Sequence, residues 1–219
     1  QSNIGAVLRR IETNIPKHSV QMSARKLRYE WFYEIIELNK LDYIVTAHHI
    51  DDSLETFLIN TLRSTGIDGL TGISSFNNKI IRPLLIFSKS DIVNYSKLNN
   101  INWREDSSNK KNDYLRNKLR NQVIPLFKEI NTSYIENFSK TVSHLKEDSL
   151  LIHELISIFK QDYFKNTKDC ISINKSVVSN LSDTMIFKLF FEYGFRSSKE
   201  ILDLCKSNSG KIIYSSKYS

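Results

Sequence analysis

The chain has 219 residues, 31 lysines and arginines against 24 aspartates and glutamates, a formal net charge of +7 and a pI near 9.3. With 40% hydrophobic and 25% charged residues it has the composition of an ordinary globular protein, long enough to bury one large core or two smaller ones, and neither disordered nor fibrous. No run reaches the roughly 18 apolar residues of a membrane span, and no signal-peptide pattern opens the chain. Two cysteines, Cys170 and Cys205, lie too far apart for a CxxC redox or zinc motif, so a reducing, cytoplasmic setting is expected.

From Ser19 to about Leu38, apolar Ala24, Leu27, Trp31, Phe32, Ile35 and Ile36 recur at helical spacing, with Ser19 as N-cap. Leu41–Ala47 follows as a buried strand of β-branched and aromatic residues and runs straight into His48-His49-Ile50-Asp51-Asp52. Asp52 with Glu55 has capping-box spacing, and Leu54, Phe57, Leu58 and Leu62 give the next helix one apolar face. Gly66 is expected to cap that helix, with Gly69 and Gly72 narrowing the loop behind it. Ile80–Leu85 reads as a short strand, Ser88–Leu98 as a helix broken by Asn99-Asn100, and Trp103–Asn109 as a polar loop leading into a basic helical repeat, Tyr114–Arg120. This alternation predicts an α/β domain with a parallel sheet and ligands at the carboxyl ends of its strands, where the His-Asp cluster falls.

Beyond Pro125 the texture becomes helical: long helices over about 128–165, a strand-like Cys170–Ile173, and helices near 183–193 and 197–206. Ser209–Tyr214 could open a further strand. The expected organisation is a partial Rossmann-like domain over 1–127, a helical domain over 128–208, and the start of a linker or further domain over 209–219. His144 and His153 in the helical part have no paired ligand and read as ordinary surface or packing residues.

Nine of the ten arginines precede residue 127, and only Arg196 follows it. Arginine offers a planar fork that grips phosphate or carboxylate bidentately, so polyanion contact is expected in the first part. The densest group of chemical side chains is His48-His49-x-Asp51-Asp52-x-x-Glu55. Asp52 and Glu55, at i and i+3, are suited to holding an ammonium group or helping to bind Mg²⁺. Three readings are open on the residues alone: a hydrolytic metal site, although no HExxH is present; a structural capping box with a buried histidine; or a substrate site in a nucleotide-using enzyme.

Five blocks in order carry a resemblance: Ser23-Ala24-Arg25-Lys26-Leu27-Arg28-Tyr29-Glu30-Trp31-Phe32; Thr46-Ala47-His48-His49-Ile50-Asp51-Asp52-Ser53-Leu54-Glu55-Thr56; Leu62-Arg63 with Gly66, Gly69, Leu70 and Gly72; Arg82-Pro83-Leu84-Leu85; and Glu105-Asp106-Ser107-Ser108-Asn109 with Tyr114, Arg116, Asn117, Arg120 and Pro125. Together they resemble the tRNA(Ile)-lysidine synthetase family of ATP pyrophosphatase-type ligases, with an adenine nucleotide hydrolase-like fold. The resemblance implies ATP-dependent joining of free L-lysine to C2 of the wobble cytidine in a tRNA(Ile) with a CAU anticodon, through an adenylated base, with ATP and Mg²⁺ as cofactors. It implies lysine binding by Asp52, Glu55 and Arg28, catalysis by Arg28, His48, Asp52, Glu55 and Arg120, and tRNA contacts by Arg63, Arg116, Asn117 and Arg120. For Arg25, Arg63 and Arg104 a structural ion pair and a substrate contact are both open. No resident metal site and no membrane contact are expected, and a homodimer is compatible.

One departure stands out. The family carries a Ser-Gly-Gly-x-Asp-Ser loop that cradles ATP phosphates, and these 219 residues contain none; Gly66, Gly69 and Gly72 have different spacing. The chain is therefore expected to be a fragment lacking that loop, the first strands and the C-terminal domain, and unable to form lysidine alone. A related tRNA thiolase is disfavoured because no cysteine lies near the His-Asp cluster. A non-catalytic RNA-binding module explains the arginines but not the carboxylate pair, which repels phosphate.

Overall fold

The computed structural model describes residues 20–104, 115–168, 170–208 and 210–217, and the chain divides into two units, 1–141 and 142–219. In the first, α1 (Val20–Asn39) buries Ile36 and ends where Lys40 takes a left-handed conformation. The N-cap expected at Ser19 lies outside the described residues. β1 (Ile44–Val45) leads into α2 (Ile50–Thr61), a short α3 (Ile67–Leu70), β2 (Phe76–Asn77) and β3 (Ile80–Ile81). β1 pairs parallel to β3 and β2 antiparallel to it, giving the order β1-β3-β2. The parallel pair requires a crossover, and α2 lies on it with Ile50 and Leu54 buried.

Both strands are shorter than their apolar runs predict. Ile44 N–H donates to Lys79 O (2.7 Å) and Thr46 N–H to Ile81 O (3.0 Å) at the two ends of β1, and Leu41, Tyr43 and Val45 are exposed, so this is not the buried strand expected. Pro83 has no N–H to extend β3, and a 3₁₀ turn, Pro83–Ile86, begins there. Gly66 does not cap α2: the helix ends at Leu62, and Gly66 is instead the N-cap of α3. Gly69 is there for packing, since a Cβ would fall 2.1 Å from Thr65 Oγ1.

α4 (Lys89–Leu98) starts as predicted, with Ser88 Oγ accepting from Asp91 N–H and Asp91 Oδ2 accepting from Ser88 N–H, a reciprocal capping box, and Asn99 is its C-cap. The basic repeat forms α5 (Leu115–Lys118), which passes into a π-helical turn, Leu119–Val123, and then α6 (Ile124–Ile130). Pro125 gives the cause. A proline inside a helix cannot donate to the carbonyl one turn back and clashes with it, and a wider turn relieves both. In that turn Ile124 N–H donates to Leu119 O, and the buried residues are Leu119 and Ile124, five apart.

The division between the units falls inside α7 (Tyr134–Tyr163). The second unit adds β4 (Phe164–Asn166) antiparallel to β5 (Ile171–Ile173), then α8 (Lys175–Ser179), α9 (Asp183–Phe190), a 3₁₀ turn (Phe191–Tyr193) and α10 (Ser198–Lys206). Its core is Val178, Ile186 and Ile201, packed by Ile173, Phe190, Phe195 and Ile213. Asn174 caps α8 and Ser182 caps α9 through their side-chain oxygens. Gly194 takes φ +91°, and a Cβ there would meet Ser216 Oγ at 2.7 Å, so only glycine lets residues 215–217 close over the turn. The strand expected at Ser209–Tyr214 does not form among the described residues 210–214.

Ile186 is fully buried, so Ile186→Ala is expected to lower stability by about 2–5 kcal/mol. Urea unfolding followed by circular dichroism measures it, and a loss under about 1 kcal/mol would place the core of this unit elsewhere.

Candidate functional site

The site forms where β1 hands over to α2. His49, with φ −121° and ψ 176°, is the N-cap of α2, and Asp52, three residues in, accepts its backbone N–H on Oδ2 at 3.0 Å. The capping carboxylate is thus the third helical residue, and the box expected between Asp52 and Glu55 does not form. Asp51 faces α4 and accepts the N–H of that helix's first residue, Lys89, at 2.8 Å. The His49 ring lies between the two aspartates, Nδ1 3.3 Å from Asp51 Oδ2 and Nε2 3.5 Å from Asp52 Oδ2. Burial alone would raise the Asp51 carboxyl, but the adjacent His49 ring and the hydrogen bond from Lys89 N–H outweigh it and hold it below its ordinary value.

Glu55 is 0% exposed and its charge is fully answered. Arg116 Nε donates to Oε2 at 2.7 Å; Arg120 donates through Nε to Oε1 and through Nη2 to Oε2. Arg120 Nη2 also reaches Asp52 Oδ1 at 3.1 Å, and Arg116 Nη2 donates to Thr56 Oγ1 at 3.0 Å. Two guanidinium groups, four residues apart on α5 and the π turn, therefore clamp two carboxylates on one face of α2. Burial works against the Arg120 charge, yet Glu55 and Asp52 raise its pKa, so it stays protonated. Beside the clamp lies a cavity of about 420 Å³ whose lining includes His49, Asp51, Glu55, Lys89, Arg120 and Ile124.

His48 stands at the strand end, half-buried, with Nδ1 2.9 Å from Thr46 Oγ1. Desolvation lowers its pKa first of all; Asp52 pulls the other way, and the positive charges of Arg82, Arg25 and Arg116 lower it further. The imidazole is therefore neutral at neutral pH and able to accept a proton.

Of the residues expected at the site, His48, Asp52, Glu55, Arg116 and Arg120 come together, with Asn117 half-buried beside Arg116. Arg63 is exposed past the far end of α2, about 15 Å along the axis from Asp52, and is not brought to the cluster. Arg28 is exposed on α1; the α1 arginine whose charge reaches His48 is Arg25. Sequence reasoning passed over Thr46, Asp51 and Arg82 as site residues. Thr46 and Asp51 sit inside one quoted block and Arg82 opens another, so all three were findable by position although none was given a role.

The carboxylate oxygens of Asp52 and Glu55 are occupied by N–H donors, and no cluster of three or more potential metal ligands occurs among the described residues. This donor set does not fit Mg²⁺, and no glycine loop able to wrap a triphosphate is present among those residues.

Glu55→Gln leaves two guanidinium groups sharing a neutral amide, and is expected to cost about 2–4 kcal/mol of stability, less than a fully buried pair because both arginines keep partial exposure; denaturant unfolding at neutral pH reports it. Asp51 has a lowered folded-state pKa, so its stabilisation is present above about pH 4 and is lost as pH falls through that lowered value. Asp51→Asn should therefore be less stable than wild type at pH 7, with the gap narrowing as pH falls below about 4; a gap that stays constant as the pH is lowered would deny the linkage.

Residues 1–127 match the family described as the PP-loop domain, and residues 164–219 match the TilS substrate binding domain. Among curated relatives, proteins named tRNA(Ile)-lysidine synthase are similar over most of this chain. That of Bacteroides thetaiotaomicron is 35% identical over 193 residues, 88% of this chain and 45% of its own length; that of Parabacteroides distasonis is 35% identical over 203 residues, 91% of this chain and 46% of its own. The Petrotoga mobilis protein is 45% identical over 122 residues, 56% of this chain and 39% of its own length. The chain spans about half the length of the curated relatives it matches. With a parallel strand pair, a His-Asp cluster at the strand end and a domain match over more than half its residues, this chain belongs to the PP-loop domain family.

Proposed function

We propose that this chain supplies the amino-acid half of a lysidine-forming ligase, which joins free L-lysine to C2 of the wobble cytidine in a tRNA(Ile) with a CAU anticodon at the expense of ATP. The observation that carries the proposal is the arginine-braced carboxylate pair beside a neutral histidine at a strand end. The names of the relatives, and the substrate-binding domain over 164–219, support the same reading. ATP use follows from the PP-loop family, while the phosphate-cradling loop is not among these residues.

Asp52 is the carboxylate we assign to the lysine ammonium, because Glu55 is sealed and acts through Arg116 and Arg120. Lysine attacks as a free amine, so its ammonium must first surrender a proton, and we assign its acceptance to neutral His48. The amine nitrogen then bonds to C2, the C2–O bond breaks, and AMP leaves with the oxygen; adenylation makes that oxygen a competent leaving group. Arg116 and Arg120 hold the carboxylates while their partly exposed guanidinium faces, with Asn117, meet anionic tRNA or nucleotide groups. A cytidine must leave the anticodon stack to reach such a site. Arg28 and Arg63, both exposed, are assigned to the approach path rather than to the cluster.

The test is lysine- and tRNA-dependent AMP release with lysidine formation by the full-length protein carrying these residues. Asp52→Asn is expected to raise the KM for lysine by at least about tenfold, with the KM for ATP unchanged. Unchanged lysine kinetics would remove Asp52 from the lysine site and favour a non-catalytic RNA-binding module.

A further inference from the structure

Arg82 is a buried cation without a counter-charge. It stands between Ile81, which ends β3, and Pro83, and is 7% exposed. Its Nη1 donates to the Ser74 carbonyl at 2.8 Å, its Nε is buried with no acceptor, and no carboxylate lies within ion-pair distance of it among the described residues. Arg116 and Arg120 make the contrast: each is more exposed, and each has a carboxylate in hand.

A guanidinium stripped of water and left with a single carbonyl partner is costly, and arginine cannot escape the cost by giving up its proton. An anion is what such a group lacks. Arg82 follows β3 directly, at the sheet end where Thr46 N–H donates to Ile81 O and Thr46 Oγ1 lies 2.9 Å from His48 Nδ1, and the charges of Arg82 and Asp52 both act on that imidazole. One imidazole is therefore influenced by a carboxylate and by an unpaired cation, an arrangement suited to a ligand carrying both signs.

We propose that Arg82 is the cation of an oxyanion subsite beside His48, which takes the α-carboxylate of the free amino acid whose ammonium Asp52 receives. The assignment rests on the function proposed above and extends it from the amine end of the substrate to its carboxylate end. The planar fork matches a carboxylate or a phosphate oxygen pair equally, so a nucleotide phosphate is the competing source of the oxyanion.

Calorimetric titration of the full-length protein carrying these residues decides it, using wild type, Arg82→Met and Arg82→Lys with three probes: L-lysine, cadaverine, which is lysine without its carboxylate, and inorganic pyrophosphate. Wild type is expected to bind lysine at least about tenfold more tightly than cadaverine. Both substitutions should reduce lysine affinity toward that of cadaverine, Arg82→Lys less severely, and leave cadaverine and pyrophosphate unchanged. Loss of pyrophosphate binding in place of lysine binding keeps the subsite and reassigns its oxyanion to the nucleotide. Equal lysine affinity in all three proteins overturns the subsite and leaves the proposed function standing. Failure of wild type to bind either amine overturns the amino-acid reading, and failure to bind any probe overturns both. Removing an unpaired buried charge should leave the ligand-free melting temperature of Arg82→Met at or above that of wild type. A fall of several degrees that Arg82→Lys avoids would make Arg82 a structural prop and overturn the proposal.

Discussion

A carboxylate removed from water must be fully answered by donors, and that constraint on Glu55 organises the first unit. Its partners Arg116 and Arg120 lie 61 and 65 residues further along the chain, so their hydrogen bonds tie the start of α2 to α5 and the π turn. Buried ion pairs of this kind are weak sources of net stability, since desolvation offsets much of the attraction, but they admit little error in position. Two guanidinium groups and two carboxylates balance in charge. The cluster holds Asp52 against α5 while His49 and Asp51 connect the same helix end to α4.

His48 gains its properties from this frame. It sits on the strand side of the cluster, with Thr46 against one ring nitrogen, and burial and three arginine charges outweigh the single aspartate that would protonate it. A base that is neutral at the working pH, close to charges that are not, is the kind of contrast that separates proton acceptor from electrostatic brace in enzyme sites.

Much of this was legible from local sequence. The strand that runs into a His-Asp cluster, the Ser88–Asp91 start of α4 and the helices of the second unit all depend on neighbours a few residues apart, where propensity and periodicity act. The part that was not legible depends on distant partners. Asp52 and Glu55 have capping-box spacing, but α2 begins at His49, and nothing in a seven-residue window reveals that Glu55 is sealed under two arginines more than sixty residues away. Arg63 and Arg116 looked equivalent as arginines; only the path of the chain carries one into the cluster and leaves the other at the far end of α2. Strand lengths were overestimated because a run of β-branched and aromatic residues does not show where pairing stops: Leu41, Tyr43 and Val45 are exposed, and only the end at Pro83, which lacks an N–H, was legible in the sequence.

The π turn after Lys118 leaves one residue more in the helix than an α-helical ladder needs. Leu119 and Ile124, five apart, are both buried, whereas Arg116 before the turn and Arg120 within it keep the four-residue step. The helix thus runs on two clocks, one timed to Glu55 and one timed to the core, and Pro125 marks the changeover. A stretch of chain that must satisfy an ion-pair clamp and a hydrophobic contact with incompatible periods has used an extra residue as a phase shifter, which frees each face to be tuned without rotating the other.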